Sequence, residues 1–124
     1  MTNETLNLKN YAHIGDSVWE VFVRTYTIYK TSNSKILHKI TTDRVNATFQ
    51  KDLLIFITPH LSEKELELVK RARNLSIPVG RKSIQADYRQ ATAFEVLIGY
   101  WYLNDKTRLN EVLEIIKAQL ESRF

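Results

Sequence analysis

The sequence predicts an all-α fold, and three observations support this. Glycine (three residues) and proline (two residues) are scarce in a chain of 124 residues. The dipeptides Asn-Gly and Asp-Gly, which favour tight β-hairpin turns, do not occur. Apolar residues recur three or four positions apart along almost the whole chain, the spacing at which one helix face packs against a core. We therefore expect a bundle of about six to seven helices.

The first half of the chain predicts two helices and a short apolar segment. Apolar residues at helical spacing run through Asp16–Tyr29. Residues 31–34 are typical of a loop, and Ser34 is a suitable N-cap for the second helix. The apolar segment Asp52–Ile57 is closed by Pro59, which cannot continue a helix without losing a hydrogen bond.

The second half predicts three helices. Residues 62–65 (Ser-Glu-Lys-Glu) form a capping-box pattern that opens the first of them. Residues 75–82 contain one proline and one glycine and are the clearest loop in the sequence. We expect two helices to follow, Gln85–Leu103 and Lys106–Ser122, the second with a continuous apolar stripe.

The composition is typical of one globular domain, residues 1–124. Apolar residues make up 44% and charged residues 26% of the chain. The sequence has no run of eighteen or more apolar residues, so we expect no membrane span. The first residues lack the basic and apolar regions of a secretory signal. Because there is no cysteine, disulfides and thiolate zinc sites are excluded, and we expect a cytoplasmic protein.

Two carboxylates lie in apolar surroundings where acids are uncommon. Asp16 lies in the segment Ala12–Val18 and Glu95 in Ala91–Gly99, each with a glycine beside or near the acid. Acids are rarely tolerated on the core side of a helix unless they are paired or hold a metal. Two such acids far apart in sequence predict one shared site assembled by the fold.

Each acid also has a structural interpretation. Asp16 can be an N-cap or first-turn acid favoured by the helix dipole, with Gly15 as a turn residue. Glu95 shares one helix face with Ala91 and Gly99, so we expect it to point into a close helix–helix contact.

A carboxylate in such a contact requires a partner. One candidate is a buried ion pair with Arg89 or Arg24. The other is a hard divalent cation, which converging carboxylates bind. The three histidines show no paired metal-ligand spacing, and no glycine-rich phosphate loop occurs. Zinc and nucleotide sites therefore have no support in the sequence.

Positive charge is concentrated in one part of the chain. The net charge is +4, and six of the 18 lysines and arginines fall between residues 70 and 89. A concentrated basic patch is what a phosphate backbone selects. The candidate phosphate-binding residues are Lys70, Arg71, Arg73, Arg81, Lys82 and Arg89.

Two segments resemble the motifs of the ribonuclease III family. Residues 14–18 (Ile-Gly-Asp-Ser-Val) resemble the Leu-Gly-Asp core of that family's signature helix, and residues 93–99 (Ala-Phe-Glu-Val-Leu-Ile-Gly) resemble its second acidic motif. Residues 11–24, 70–74 and 88–95 are further similar to the compact Mini-ribonuclease III group. The resemblance covers nearly the whole chain, and it implies a bare catalytic domain with no double-stranded-RNA-binding domain after it.

The chain departs from the family pattern at two positions. Full-length ribonuclease III enzymes typically carry four metal-site acids, but two of these positions hold Ala12 and Thr92 here. Only Asp16 and Glu95 carry over, a reduced set that the Mini group shares. This leaves open whether a site holds one metal or two. Glu20, one helical turn after Asp16, is either a further support for the metal or a structural acid.

The resemblance implies a Mg²⁺-dependent endoribonuclease that cleaves double-stranded RNA and leaves 5′-phosphate ends. Asp16 and Glu95 would be the catalytic residues and would hold the cation, with Glu20 as a candidate third contact. The basic residues would contact RNA phosphates across the shallow groove of the duplex.

The resemblance also implies partners. It suggests a homodimer, with the helix around Ala91–Gly99 and its neighbours Trp101 and Tyr102 as the candidate dimer region. It points to maturation of the large-subunit ribosomal RNA precursor, with a ribosomal protein as a candidate partner. Two alternatives remain open: a non-catalytic scaffold that binds structured RNA or ribosomes, and a basic helical interaction protein with no RNA role.

Overall fold

A computed structural model of the chain describes residues 6–75 and 82–121, without the side chains of residues 82–84. Every regular element in these ranges is helical, which confirms the predicted all-α fold and the expected number of helices. The elements are α1 (Leu8–Thr27), α2 (Ser34–Val45), α3 (Ala47–Ile57), a short 3₁₀ helix (Thr58–His60), α4 (Glu63–Arg73), α5 (Lys82–Asn104) and α6 (Lys106–Glu121).

Helix α1 begins earlier than predicted. Its N-cap is Asn7, whose side chain accepts a hydrogen bond from the Lys9 backbone N–H at 2.8 Å. The helix then continues through Gly15, whose φ is not positive. Asp16 therefore lies in the middle of a helix, so its interpretation as an N-cap or first-turn acid is wrong, and so is that of Gly15 as a turn residue.

Two further helix starts differ from the sequence-based bounds. The N-cap of α2 is Asn33, not Ser34, because the Asn33 side chain accepts from the Ile36 N–H at 3.0 Å. Asn46 caps α3 in the same way, so the short segment predicted at Asp52–Ile57 is the second half of a longer helix.

The later predictions agree with the structure more closely. The capping box at the start of α4 is present, with Ser62 and Glu65 each accepting from the other's backbone N–H. Helix α5 begins three residues before the predicted Gln85, and α6 ends at Glu121, the last described residue. The loop predicted over residues 75–82 falls mostly on residues 76–81, which lie outside the described ranges.

Helix α5 is the central element of the fold, and it packs against α1, α3, α4 and α6. Its middle is almost entirely buried, and Phe94 contacts Trp19 of α1 edge-on, with ring centroids 5.1 Å apart. Trp19 also donates its indole N–H to the backbone carbonyl of Arg44 at the end of α2, at 2.9 Å. None of the helices in the two described ranges is both long and apolar enough to cross a lipid bilayer.

Glu65 joins α4 to α5 and α6. Its carboxylate accepts from Nε and Nη2 of Arg108 at 2.9 and 2.8 Å, from Trp101 Nε1 at 2.9 Å and from the Ser62 N–H at 2.8 Å. Burial raises the pKa of Glu65, but the hydrogen bonds from Arg108, Ser62 and Trp101 outweigh it and hold that pKa below its usual value. This network fixes α4 and α6 against the central helix.

Candidate active site

The site begins with a close crossing of α1 and α5. A Cβ built on Gly15 would lie 1.8 Å from the carbonyl oxygen of Glu95, and one built on Gly99 would lie 1.9 Å from the carbonyl oxygen of Tyr11. Real Cβ atoms do not approach backbone oxygens this closely, so only glycine fits at both positions. The two helices touch backbone to backbone, which brings the residue after Gly15 next to Glu95.

Asp16 and Glu95 meet at this crossing, as the two apolar contexts predict. The Asp16 side chain is exposed, whereas that of Glu95 is partly buried. Burial, followed by the hydrogen bond and the charge of Asp16, raises the pKa of Glu95 to about 8, while a hydrogen bond from Gln50 acts in the opposite direction. With its pKa at about 8, Glu95 retains its proton at neutral pH.

The alternative of a structural ion pair at Glu95 is not realised with either proposed arginine. Arg24 pairs with Glu20 on the surface of α1, with Nη2 and Oε1 separated by 2.5 Å. Arg89 donates to backbone carbonyls at the end of α4. Neither proposed arginine therefore neutralises Glu95, and a divalent cation at the pair stays a prediction.

The donor set fits a hard cation with few protein ligands. Mg²⁺ prefers oxygen ligands in octahedral geometry and usually keeps several waters, binding through one or two carboxylates. Asp16 and Glu95 supply such a pair, and the positions of the two missing family acids, Ala12 and Thr92, add no carboxylate. Within the described residues, no group of three acidic or histidine side chains lies close enough to hold a metal.

Glu20 lies one turn beyond Asp16 on α1, but its carboxylate is engaged elsewhere. It accepts from Arg24, and its side chain is 38% exposed. The pKa of Glu95 is shifted by burial, Asp16 and Gln50, and not by Glu20. A contact between Glu20 and a metal stays a prediction, and it requires the ion pair with Arg24 to open.

Gln50 is a site residue that the sequence analysis missed. It lies on α3, is only 2% exposed, and its side chain hydrogen-bonds Glu95. Three residues before it, Ala47 opens α3, so the amide is carried inward by the first turn of that helix. A single glutamine in a helix has no spacing signal, which is why no pattern indicated it.

The basic residues are placed unequally by the structure. Lys70, Arg71 and Arg73 lie in the last turn of α4, and all three are exposed. Cations are favourable there because the carbonyl ends of the helix carry partial negative charge. Arg81 lies outside the described residues, and Lys82 begins α5 with its side chain outside the description. Their RNA-binding roles stay predictions.

Arg89 has a structural contact that the sequence did not suggest. Its Nη1 donates to the carbonyl oxygen of Arg73 at 2.8 Å and to that of Leu75 at 3.2 Å. The guanidinium therefore holds the end of α4 against α5. An RNA contact by Arg89 stays a prediction, and it would have to coexist with these two hydrogen bonds.

The chain matches the family model of the ribonuclease III domain over residues 9–106. The chain belongs to the ribonuclease III family. Relatives named Mini-ribonuclease 3 place it in the Mini group. One from Clostridium tetani is 43% identical over 110 residues, which cover 85% of this chain and 72% of the relative. Another, from Gloeobacter violaceus, is 39% identical over 111 residues, covering 90% and 82%.

A solved structure has the same fold as this chain. The crystal structure of a protein from Fusobacterium nucleatum is 30% identical in sequence and superposes with a TM-score of 0.78, covering 87% of this chain and 90% of the other. The helical bundle described above is the ribonuclease III fold, because the model of that domain matches residues 9–106.

The structure contradicts most of the dimer region that was predicted on α5. Ala91 and Trp101 are 6% and 1% exposed within the single chain, and Gly99 is in contact with α1, so these residues belong to the core. Tyr102 is different, because it lines a shallow apolar depression of about 240 Å³ on the outer face of α1. We call this surface the α1 face, and its other residues are Ile14, Ser17, Val18 and Val21.

Proposed function

We propose that the chain is a divalent-metal-dependent endoribonuclease that cleaves double-stranded RNA and leaves 5′-phosphate ends. The observation that supports this most directly is the Asp16–Glu95 pair at the α1–α5 crossing of a ribonuclease III domain. Mg²⁺ is the cation that suits two carboxylates and retained waters.

Asp16 and Glu95 would hold the metal. When bound, Mg²⁺ supplies a Lewis acid and an activated water for phosphodiester hydrolysis. Glu95 would hold the cation as a carboxylate, so the proton that its raised pKa retains would be released to solvent on metal binding. Asp16, the exposed member of the pair, would be the more accessible of the two to an approaching substrate.

The exposed cations at the end of α4 would bind the phosphates of the duplex. Lys70, Arg71 and Arg73 project from one helical turn. Because duplex RNA offers mainly phosphates and 2′-hydroxyls, such contacts are strong but carry little sequence preference. Substrate choice would then depend on context, and we propose the large-subunit ribosomal RNA precursor, with a ribosomal protein as an assisting partner.

The assembly we propose is a cytoplasmic homodimer of single catalytic domains spanning residues 1–124. The α1 face is the surface that favours it. Val21 is 64% exposed there, and Ser17 on the same face directly follows Asp16. A dimer through this face would bring two acidic pairs towards one duplex.

The test is cleavage of a long RNA duplex by the purified chain, with Mg²⁺ and with chelator. Asp16→Asn and Glu95→Gln should each lower cleavage by more than about 100-fold, since each removes a metal ligand. Glu114→Gln is the matched control, because Glu114 is an exposed acid on α6 that forms an ion pair with nearby Lys117 at 2.6 Å. Duplex binding without metal-dependent cleavage would instead support the scaffold function.

A further inference from the structure

Gln50 is a polar side chain placed inside the core. At 2% exposed it is as buried as its neighbour Phe49. A buried amide destabilises the fold unless its donors and acceptors find partners. Its Nε2 donates to the carbonyl oxygen of Val45, the last residue of α2, at 3.3 Å. A carbonyl only accepts, so this contact fixes which end of the amide faces it.

The second partner of the Gln50 amide is Glu95. A hydrogen bond joins the two side chains across the packed interface of α3 and α5. An amide nitrogen carries two hydrogens. One is directed at Val45 and the other is left for Glu95, so the amide links the end of α2 to the acid on α5.

Glu95 is thus held between two unlike neighbours, Asp16 on α1 and Gln50 on α3. We propose that Gln50 is a positioning residue, whose anchored amide keeps the Glu95 carboxyl directed at Asp16 in the orientation that binds the metal. This inference rests on the proposed function, in which Asp16 and Glu95 hold a divalent cation. Because Gln50 is buried, it acts on metal affinity and not on RNA contact.

The direct test is metal affinity in Gln50→Met, which keeps the length of the side chain and removes its donors. Binding of Mn²⁺ is measured by electron paramagnetic resonance without RNA, and the Mg²⁺ dependence of cleavage is measured at saturating RNA. We expect both affinities to fall by about 10-fold or more, as for other residues that orient metal ligands. Duplex binding in chelator should not change.

The matched control is Thr48→Val in the same α3–α5 interface. It removes the hydrogen bond from Thr48 Oγ1 to Asp87 Oδ2 (3.0 Å) and leaves Glu95 untouched, so its Mn²⁺ affinity should equal that of the wild type. If Gln50→Met does not fold, Gln50→Asn serves instead, because it keeps the amide but withdraws it from Glu95 by one methylene.

A second measurement separates positioning from general core packing. In chelator, Gln50→Met should destabilise the wild type more than it destabilises a Glu95→Ala background, where the acceptor is gone. Equal destabilisation in both backgrounds, or wild-type Mn²⁺ affinity in Gln50→Met, overturns the inference while metal-dependent cleavage stands. A wild-type chain that neither binds Mn²⁺ nor cleaves duplex RNA would instead overturn the proposed function, and the inference with it.

Discussion

The carbonyl oxygen of Glu95 occupies the place where a side chain on Gly15 would begin. The distance from that oxygen to a Cβ on Gly15 would be 1.8 Å, and the reciprocal contact places Gly99 equally close to Tyr11. The acid on α5 is therefore fixed relative to Asp16 by contact between the two helix backbones. The stability of the fold and the geometry of the site therefore both depend on the α1–α5 crossing.

Gly15→Ala should therefore lower both stability and activity. In an open helix this change would stabilise by about 1 kcal/mol through helix propensity. Here we expect a loss of about 3 kcal/mol or more, because the obstructing atoms are backbone and cannot rotate away. Urea denaturation measures the change. Asn10→Ala, at an exposed position on the same helix, is the control and should stay within about 0.5 kcal/mol of wild type. A Gly15→Ala variant as stable as the control would contradict the close crossing.

The pH dependence of stability should report the proton held by Glu95. The pKa of Glu95 is raised from 4.5 to about 8 by burial and by Asp16, so between these pH values the folded chain keeps a proton that the unfolded chain releases. The stabilisation is fully present below pH 4.5 and is lost as the pH rises towards about 8. The slope from one such proton is at most about 1.4 kcal/mol per pH unit.

The measurement is urea denaturation in chelator across this pH range, compared between the wild type and Glu95→Gln. The wild type should lose stability relative to the variant as the pH increases. Glu114→Gln removes an exposed acid from α6 and controls for the change in net charge. A difference between wild type and Glu95→Gln that is the same at every pH would show that Glu95 ionises normally.

Most of the fold follows from local sequence signals, because helix caps and apolar spacing are local. The capping box at Ser62 was predicted correctly for that reason. The start of α1 was not, since Asp16 is a plausible cap, but the hydrogen bond from the Lys9 N–H to the Asn7 side chain shows that the helix begins after Asn7. Asp16 instead lies within the helix, next to the glycine at which α1 packs against α5.

The candidate site was predictable only in part. Asp16 and Glu95 were indicated by their apolar contexts, and the structure brings them together. Gln50 and the backbone contacts of Arg89 were not indicated. The contacts of Gln50 and Arg89 depend on which acceptor the fold places beside each side chain. Because a backbone carbonyl of any residue can be such an acceptor, the sequence contains no pattern that indicates these contacts.

Arg89 and the exposed arginines of α4 should respond differently to neutralisation. Arg71→Gln with Arg73→Gln removes two exposed charges, so the slope of log affinity for duplex RNA against log salt should fall by about 2 with stability unchanged. Arg89→Gln breaks the hydrogen bonds to the carbonyls of Arg73 and Leu75, so it should lower the melting temperature. Binding titrations at several salt concentrations and thermal melts test both. An unchanged salt slope in the double variant would exclude Arg71 and Arg73 as phosphate contacts.

The α1 face gives the last prediction, which concerns assembly. Val21 is 64% exposed in an apolar depression, so if two copies pair there, Val21→Asp places two buried charges in the interface. We expect the wild type to sediment as a dimer and Val21→Asp as a monomer with unchanged helical circular dichroism. Ile36→Asp is the matched control, because Ile36 is 52% exposed on α2 and lies outside the α1 face, so this variant should stay dimeric.

Analytical ultracentrifugation over a range of concentrations distinguishes the outcomes of this last prediction. Because the α1 face adjoins Asp16, loss of the dimer should also lower double-strand cleavage, and single-strand nicks should accumulate as each monomer acts alone. A Val21→Asp chain that remains dimeric would place the interface elsewhere. A monomeric wild type with full double-strand cleavage would remove the homodimer from the proposal and leave the acidic pair of each chain to act independently.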